Sequence, residues 1–157
     1  VAAYMRKHYG MLIGLNTAEE VKITIGCVYP RPQELSMLVK GRDAKTGLPN
    51  EVTISSTEML DAFKRPARQI VDEVLAVLEH SSPELVADIA QTGIVLTGGG
   101  AKLKGMDQFF TQELGVPVLM AADPELAVAR GTGIAINDRD KLSALIEGAQ
   151  RIYRRRF

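Results

Sequence analysis

Gly93-Ile94-Val95-Leu96-Thr97-Gly98-Gly99-Gly100-Ala101 is the stretch on which the fold turns. Its first half is short, rich in β-branched residues and bounded by glycine, which reads as a buried strand. The glycines that follow bring the backbone round with no Cβ in the way. Leu103 to Leu114 then reads as a helix, Gly115 stops it, Val116 to Met120 is a strand, and Asp123-Pro124 caps a helix running to about Ile136. Strand, glycine loop, helix, strand and helix in that order describe an α/β layer. A backbone without Cβ atoms at a strand-to-helix turn admits a flat or anionic ligand, and a nucleotide is the class it suits. Two standard nucleotide patterns fail. Gly98-Gly99-Gly100 lacks the third glycine of a dinucleotide fingerprint, and Met106 and Asp107 stand where a phosphate loop beginning at Gly100 needs Lys and Ser or Thr. A tight turn with no ligand is the competing reading of the same residues.

Upstream, Val1 to Tyr9 reads as a helix ended by Gly10. Thr17 and Glu20 have capping-box spacing, which predicts a helix from there to about Gly26 with Val21 and Ile25 on one face and Glu19 and Lys22 on another. Leu35 to Lys40 alternates as a strand, Gly41 to Asn50 is loop-like, and Val52 to Ile54 is the return strand. Ser55 and Glu58 form a second capping box, opening a helix with Met59, Leu60, Phe63, Ile70, Val71, Val74, Leu75 and Leu78 on one stripe. Pro66 predicts a kink or a restart in it. Ser82-Pro83 opens a further helix that ends by Thr92. A last amphipathic helix carries Leu142, Leu145, Ile146, Ala149 and Ile152 and ends in Arg154-Arg155-Arg156-Phe157.

The composition narrows the function classes. With 157 residues, 46% of them apolar and 24% charged, the chain can bury a core and is not a disordered one. Nineteen basic residues balance nineteen acidic ones, so no global field draws in nucleic acid or acidic lipid. One cysteine, Cys27, reads as a small core residue in a reducing, cytosolic setting, and with His8 and His80 it gives no metal-ligand spacing. No apolar run reaches the roughly 20 residues that span a bilayer. The opening helix lacks an initiating Met and has no signal-peptide order, so the chain reads as a piece of something longer.

The segment Thr92 to Ala101 resembles the adenosine motif of the actin and heat-shock chaperone superfamily, and most closely that of the MreB bacterial actins, which determine rod shape. Tyr4 to Gly10, Leu12-Ile13-Gly14, Thr17 to Lys22, Ile25-Gly26, Ser81 to Leu85, Gly115 to Val118, Asp123-Pro124 and Ala129-Arg130-Gly131 carry the same resemblance. It implies the carboxyl-terminal half of such a protein: an actin-like (ribonuclease H-like) α/β half with a small antiparallel α+β subdomain inserted. Its division would be 1–29 with 56–138 as the large subdomain on the adenosine side, 30–55 with part of helix 56–66 as the small one, and 139–157 as an amphipathic helix and basic tail. The family's Glu-x-x-Lys falls on Glu19 and Lys22, and its glycine turn on Gly98, Gly99, Gly100 and Ala101, which are therefore the expected contacts to ATP or ADP. Without the resemblance, Glu19 and Lys22 would be read as a solvated surface pair. No Asp-x-Gly-Thr phosphate hairpin or catalytic acid of the family occurs here, so Mg²⁺ and hydrolysis are expected only of a full-length parent.

The resemblance further implies head-to-tail self-association into filaments, with residues 33–55 presenting part of the contact. It implies contact with the cell-wall elongation machinery such as the RodZ anchor, and a cytoplasmic location at the inner face of the membrane. Nucleic acid is not an expected partner, and membrane contact is not expected of this half. Two other readings stand beside it. One is half of a sugar or acetate kinase of the same superfamily, which would need an acid/base cluster; the other is an interaction module that has lost its nucleotide.

Overall fold

The computed structural model describes residues 1–138 and Ser143. The amphipathic helix and basic tail expected at 139–157 lie outside them, Ser143 apart. Helix α1 (Ala2–Tyr9) ends at Gly10 as expected and is followed by a two-residue strand, β1 (Met11–Leu12). Helix α2 (Leu15–Ile25) starts before Thr17. Its N-cap is the extended Gly14, with no side-chain cap, so the Thr17–Glu20 capping box is not formed. The chain leaves β1 so close to the helix that the first turn has begun before Thr17 can cap it.

Strands β2 (Ser36–Asp43) and β3 (Pro49–Ser55) are longer than the sequence suggested. The loop between them shrinks because Asp43 Oδ1 accepts from the Lys45 and Thr46 amides and the Thr46 hydroxyl, closing a tight turn. The three strands form an antiparallel sheet in the order β1-β2-β3, with Met11 opposite Asp43 and Val39 opposite Val52. Val39 and Ile54 face inward, while Lys40 and Glu51 pair at 3.1 Å on the outer face.

Helix α3 (Ser56–Glu79) opens on the expected capping box. The Ser55 hydroxyl accepts from the Glu58 amide, and Glu58 Oε2 accepts from the Ser55 amide at 2.7 Å. The helix continues through Pro66 without a restart. Its buried line is Met59, Ala67 and Val71, with Phe63 and Leu75 alongside, a four-residue spacing on one face. Ile70 lies about 100° round the helix from Val71 and is half exposed, so it leaves the predicted stripe.

Helix α4 (Pro83–Thr92) starts on Ser82, whose hydroxyl accepts from the Leu85 amide. Strands β4 (Ile94–Leu96) and β5 (Val118–Met120) pair in parallel, Ile94 opposite Val118. The expectation of a buried strand fails at Val95, which is 60% exposed. Among the described residues only one face of this sheet is covered, and Val95 and Leu119 project from the other. After β4 the backbone makes a 3₁₀ turn over Gly99–Lys102, and helix α5 (Met106–Leu114) begins three residues later than predicted, at Met106, with Gly105 as its N-cap. Helix α6 (Ala127–Asn137) also starts late and has no side-chain cap; Asp123 instead pairs with Arg130.

Among the described residues, two apolar cores result. Met5, Met11, Val21, Ile25, Val39, Ile54 and Met59 make the first, and Val28, Ala67, Val71, Met106, Phe109, Phe110 and Val118 the second. The apolar faces of α1 and α2 thus pack on the inner face of the antiparallel sheet, where the sequence division grouped residues 1–29 with 56–138. Phe63 on α3 packs against both cores. A backbone bond from the Val28 amide to the Lys104 carbonyl, 3.0 Å, ties the exit of α2 to the end of the glycine turn.

Candidate functional site

The seam between the cores opens into a cleft of about 620 Å³, within the range of small-ligand sites. One wall is α2, which presents Glu19, Lys22 and Ile23; the other is the glycine turn, which presents Gly99, Gly100, Lys102, Leu103 and Lys104. Phe63, Gly26 and Met106 also line it. Lys22 Nζ lies 2.7 Å from Glu19 Oε1, an i,i+3 pair with both side chains about half exposed. Two sequence segments more than 70 residues apart therefore face each other.

Of the expected residues, the cleft brings together Glu19, Lys22, Gly99 and Gly100, while Gly98 and Ala101 do not line it. Those two build the turn. Gly98 sits at φ 83°, ψ 165°, a region open in practice to glycine, and its amide donates to the Pro124 carbonyl at 2.6 Å. Ala101 is buried at 8% exposure, and its amide bonds the Gly98 carbonyl. Gly99 and Gly100 have no positive φ, and a Cβ built on either meets nothing within 4 Å. Nothing in the protein's own conformation or packing demands glycine there, so the space a side chain would take is cleft.

The sequence reading did not find Arg31, Phe63, Lys102, Lys104 or Glu125. Lys102 Nζ and Glu125 Oε1 form an ion pair at 2.9 Å across 23 residues of sequence, and no spacing rule links them. Lys102 carried one usable signal, its place directly after the glycine turn. Arg31 donates through Nη2 to the Gly26 carbonyl at 3.1 Å, and its Nε is buried without a hydrogen-bond partner. Burial pushes the neighbouring Cys27 thiol up despite the Arg31 charge, so Cys27 is a core residue, 1% exposed, with its Sγ on the Ser56 carbonyl. Among the described residues, four cations against two carboxylates line the cleft, a balance that suits a polyanion such as a nucleotide. Among the described residues no group of His, Cys, Asp and Glu could hold a metal ion, and no helix is long and apolar enough to cross a membrane.

Comparison with known proteins gives a consistent result. The family model described as MreB/Mbl protein matches residues 1–144. The cell shape-determining protein Mbl of Bacillus cereus is 45% identical over 139 residues, 88% of this chain and 42% of that protein. MreB of Escherichia coli K12 is 44% identical over 133 residues, 85% of this chain and 38% of that one. The structure of MreB5 of Spiroplasma citri bound to AMPPNP matches with a TM-score of 0.85 at 36% identity, covering 95% of this chain and 44% of the other. A MamK double helical filament matches in fold, with a TM-score of 0.63 at 23% identity over 78% of this chain and 37% of that one. The chain spans about two-fifths of the length of the curated relatives it matches.

Proposed function

Because the chain belongs to the MreB/Mbl protein family and has the actin-like α/β fold, we propose that it is the adenosine side of an ATP-binding filament protein that organises cell shape and wall elongation. The observation that carries this reading is the meeting of the Glu19–Lys22 pair and the Gly99-Gly100 backbone in one cleft. In this reading Glu19 accepts from ribose hydroxyls, the Lys22 stem covers the adenine face, and Gly99 and Gly100 let the sugar approach the backbone. Gly98 and Ala101 act from below, by holding the turn. Structures of MreB5 of Spiroplasma citri have been solved with AMPPNP and with ADP, two ligands that share the adenosine end. Mg²⁺ and the phosphate contacts belong, in this proposal, to the full-length protein.

The same proposal has subunits stacking head to tail, a contact that does not close on itself. The β2–β3 hairpin supports it with Leu38 and Leu48, which are 51% and 64% exposed. RodZ-type anchoring and a place at the inner face of the membrane are part of the proposal too. The kinase reading is set aside by the family match.

Calorimetry with ADP and ATP on the purified protein, as its own gene encodes it, tests the reading. ADP binds, and Glu19→Ala weakens it by about tenfold, the worth of one hydrogen bond to a charged group. Electron microscopy with ATP then shows filaments. Absence of ADP binding, or a Glu19→Ala variant that binds as well as wild type, refutes the site.

A further inference from the structure

The loop that leaves α2 turns back on the end of the helix, and we infer that Arg31 is a positioning residue that sets the gap between the Glu19–Lys22 wall and the glycine turn by clamping that end. This inference rests on the adenosine reading of the cleft given above. Arg31 lines the cleft, and its Nη2 donates to the Gly26 carbonyl at 3.1 Å. Gly26 is the residue at which α2 stops, and its own amide still bonds the Val21 and Lys22 carbonyls. A guanidinium there meets the negative end of the helix dipole. Gly26 is also where the two walls touch: a Cβ on it would stand 2.3 Å from the Lys22 carbonyl oxygen and 3.0 Å from Leu103 Cδ1. Two residues on, the Val28 amide bonds the Lys104 carbonyl at 3.0 Å.

The charges around Arg31 leave it to this task. Of the four cleft cations, Lys22 is paired with Glu19 and Lys102 with Glu125, while among the described residues Arg31 and Lys104 have no carboxylate partner. Arg31 uses Nη2 on Gly26, and its Nε is buried with no partner. An unpaired buried donor destabilises a fold, so a side chain free to swing into water would not keep this arrangement; the packing at the end of α2 holds the guanidinium in place. Glu19 and Lys22 stand on the last two turns before Gly26, so a shift at Gly26 carries both with it as one rigid piece of helix. Loss of the clamp therefore acts through populations. When only a fraction of the molecules have the walls correctly spaced, apparent affinity falls by that fraction while the contacts themselves are unchanged.

Calorimetry with ADP and with adenosine on the purified protein tests the inference, using wild type, Arg31→Met, Arg31→Lys and Glu19→Ala; stopped flow with fluorescently labelled ADP gives the rates, and amide hydrogen exchange is read without ligand. Arg31→Met weakens ADP and adenosine by the same factor, about tenfold, the worth of one hydrogen bond from a charged donor, through slower association at an unchanged release rate. Without ligand it speeds exchange of the Gly26 and Val28 amides by about the same factor, and the urea midpoint stays near that of wild type because the unpaired Nε is removed together with the bond. Arg31→Lys, which keeps a charged donor, recovers part of the affinity and of the protection. A loss confined to ADP, or one found in the release rate, makes Arg31 a direct ligand contact and overturns the inference, as do wild-type exchange in Arg31→Met and an Arg31→Lys variant no better than Arg31→Met. If Glu19→Ala still weakens ADP, the adenosine reading survives those results. Failure of wild type to bind ADP overturns both.

Discussion

The glycines around the turn should separate into those that the fold needs and those that the ligand needs. Gly105 sits at φ +80°, and a Cβ there would stand 2.4 Å from Tyr29 Cβ and 3.1 Å from its amide nitrogen. The left-handed backbone costs an L-residue roughly 1–2 kcal/mol, and overpacking against a carbon next to the main chain costs roughly 1–3 more. Gly105→Ala should therefore lose about 2–5 kcal/mol, a large part of the roughly 5–15 kcal/mol that a domain possesses. Gly98, at φ +83° with open space around it, should lose only the conformational part, about 1–3 kcal/mol as alanine. Gly99 has neither a positive φ nor a neighbour within 4 Å, so Gly99→Val should stay within about 0.5 kcal/mol of wild type. Its effect should fall on the ligand instead, as a loss of ADP affinity of tenfold or more by calorimetry. Urea unfolding followed by circular dichroism gives the stabilities. A Gly99→Val variant as unstable as Gly105→Ala would mean that the triplet is a folding requirement. A stable one that binds ADP like wild type would mean that no ligand approaches this turn.

Other predictions concern α3 and the first core. The Tyr9 hydroxyl donates to Glu58, which pulls the Glu58 carboxyl below its usual 4.5 and pushes Tyr9 up to about 12. Glu58 therefore contributes stability above its unfolded value that is lost as pH falls through the lower folded one, and Glu58→Gln should flatten this acid limb in urea melts between about pH 5 and 3. Tyr9 gives the opposite sign: its contribution is present below its unfolded value of 10.0 and lost as pH rises through about 12, so Tyr9→Phe should flatten the alkaline limb. Pro66→Ala should raise stability by about 1 kcal/mol or more, because it restores a helical N–H in a helix that already runs through the site; a loss would show that proline's restriction of the unfolded chain outweighs the bond. Cys27, 1% exposed and with its thiol pushed up, should resist iodoacetamide at neutral pH until the protein is unfolded in urea, as read by mass spectrometry.

What the sequence could tell followed the range of the interaction. Caps and stops are local, and the Ser55–Glu58 box, the Ser82 cap and the exits at Gly10 and Gly115 all stand where their residues put them. Strand β1 was not legible, because two residues make no pattern; it exists through pairing with Arg42 and Asp43 thirty positions away. Its presence in turn shifted the start of α2 from Thr17 to Leu15. Half burial of β4 was equally hidden, since Ile94-Val95-Leu96 looks the same whether one face of the sheet is covered or two. In the cleft, Glu19 and Lys22 came from the family resemblance; as a bare i,i+3 pair they resemble any solvated helix surface. Lys102 and Glu125 meet because the β4–β5 pairing and the backbone bonds from Ala121 to Leu96 and from Gly98 to Pro124 bring their segments together, contacts that neither segment announces.

The cleft's location explains why its pieces are so far apart in sequence. Each core can be filled from its own segments, but neither core alone supplies two facing walls: α2 belongs to the first, and the glycine turn leads into α5 of the second. What fixes the distance between them is small. Phe63 touches both cores, and a single backbone bridge between Cys27 and Lys104, made through the Val28–Lys104 bond, pins the exit of α2 to the end of the turn. A ligand that contacts Glu19 and Gly99 together spans that seam, so its binding energy acts on the relation between the cores as well as on its own contacts. Widening the seam would weaken binding without touching either wall, while loss of a wall residue would weaken binding and leave the seam intact. In the proposed reading, a nucleotide bound there would act on the mutual placement of the two packed units, the coupling that the proposed filament subunit would use.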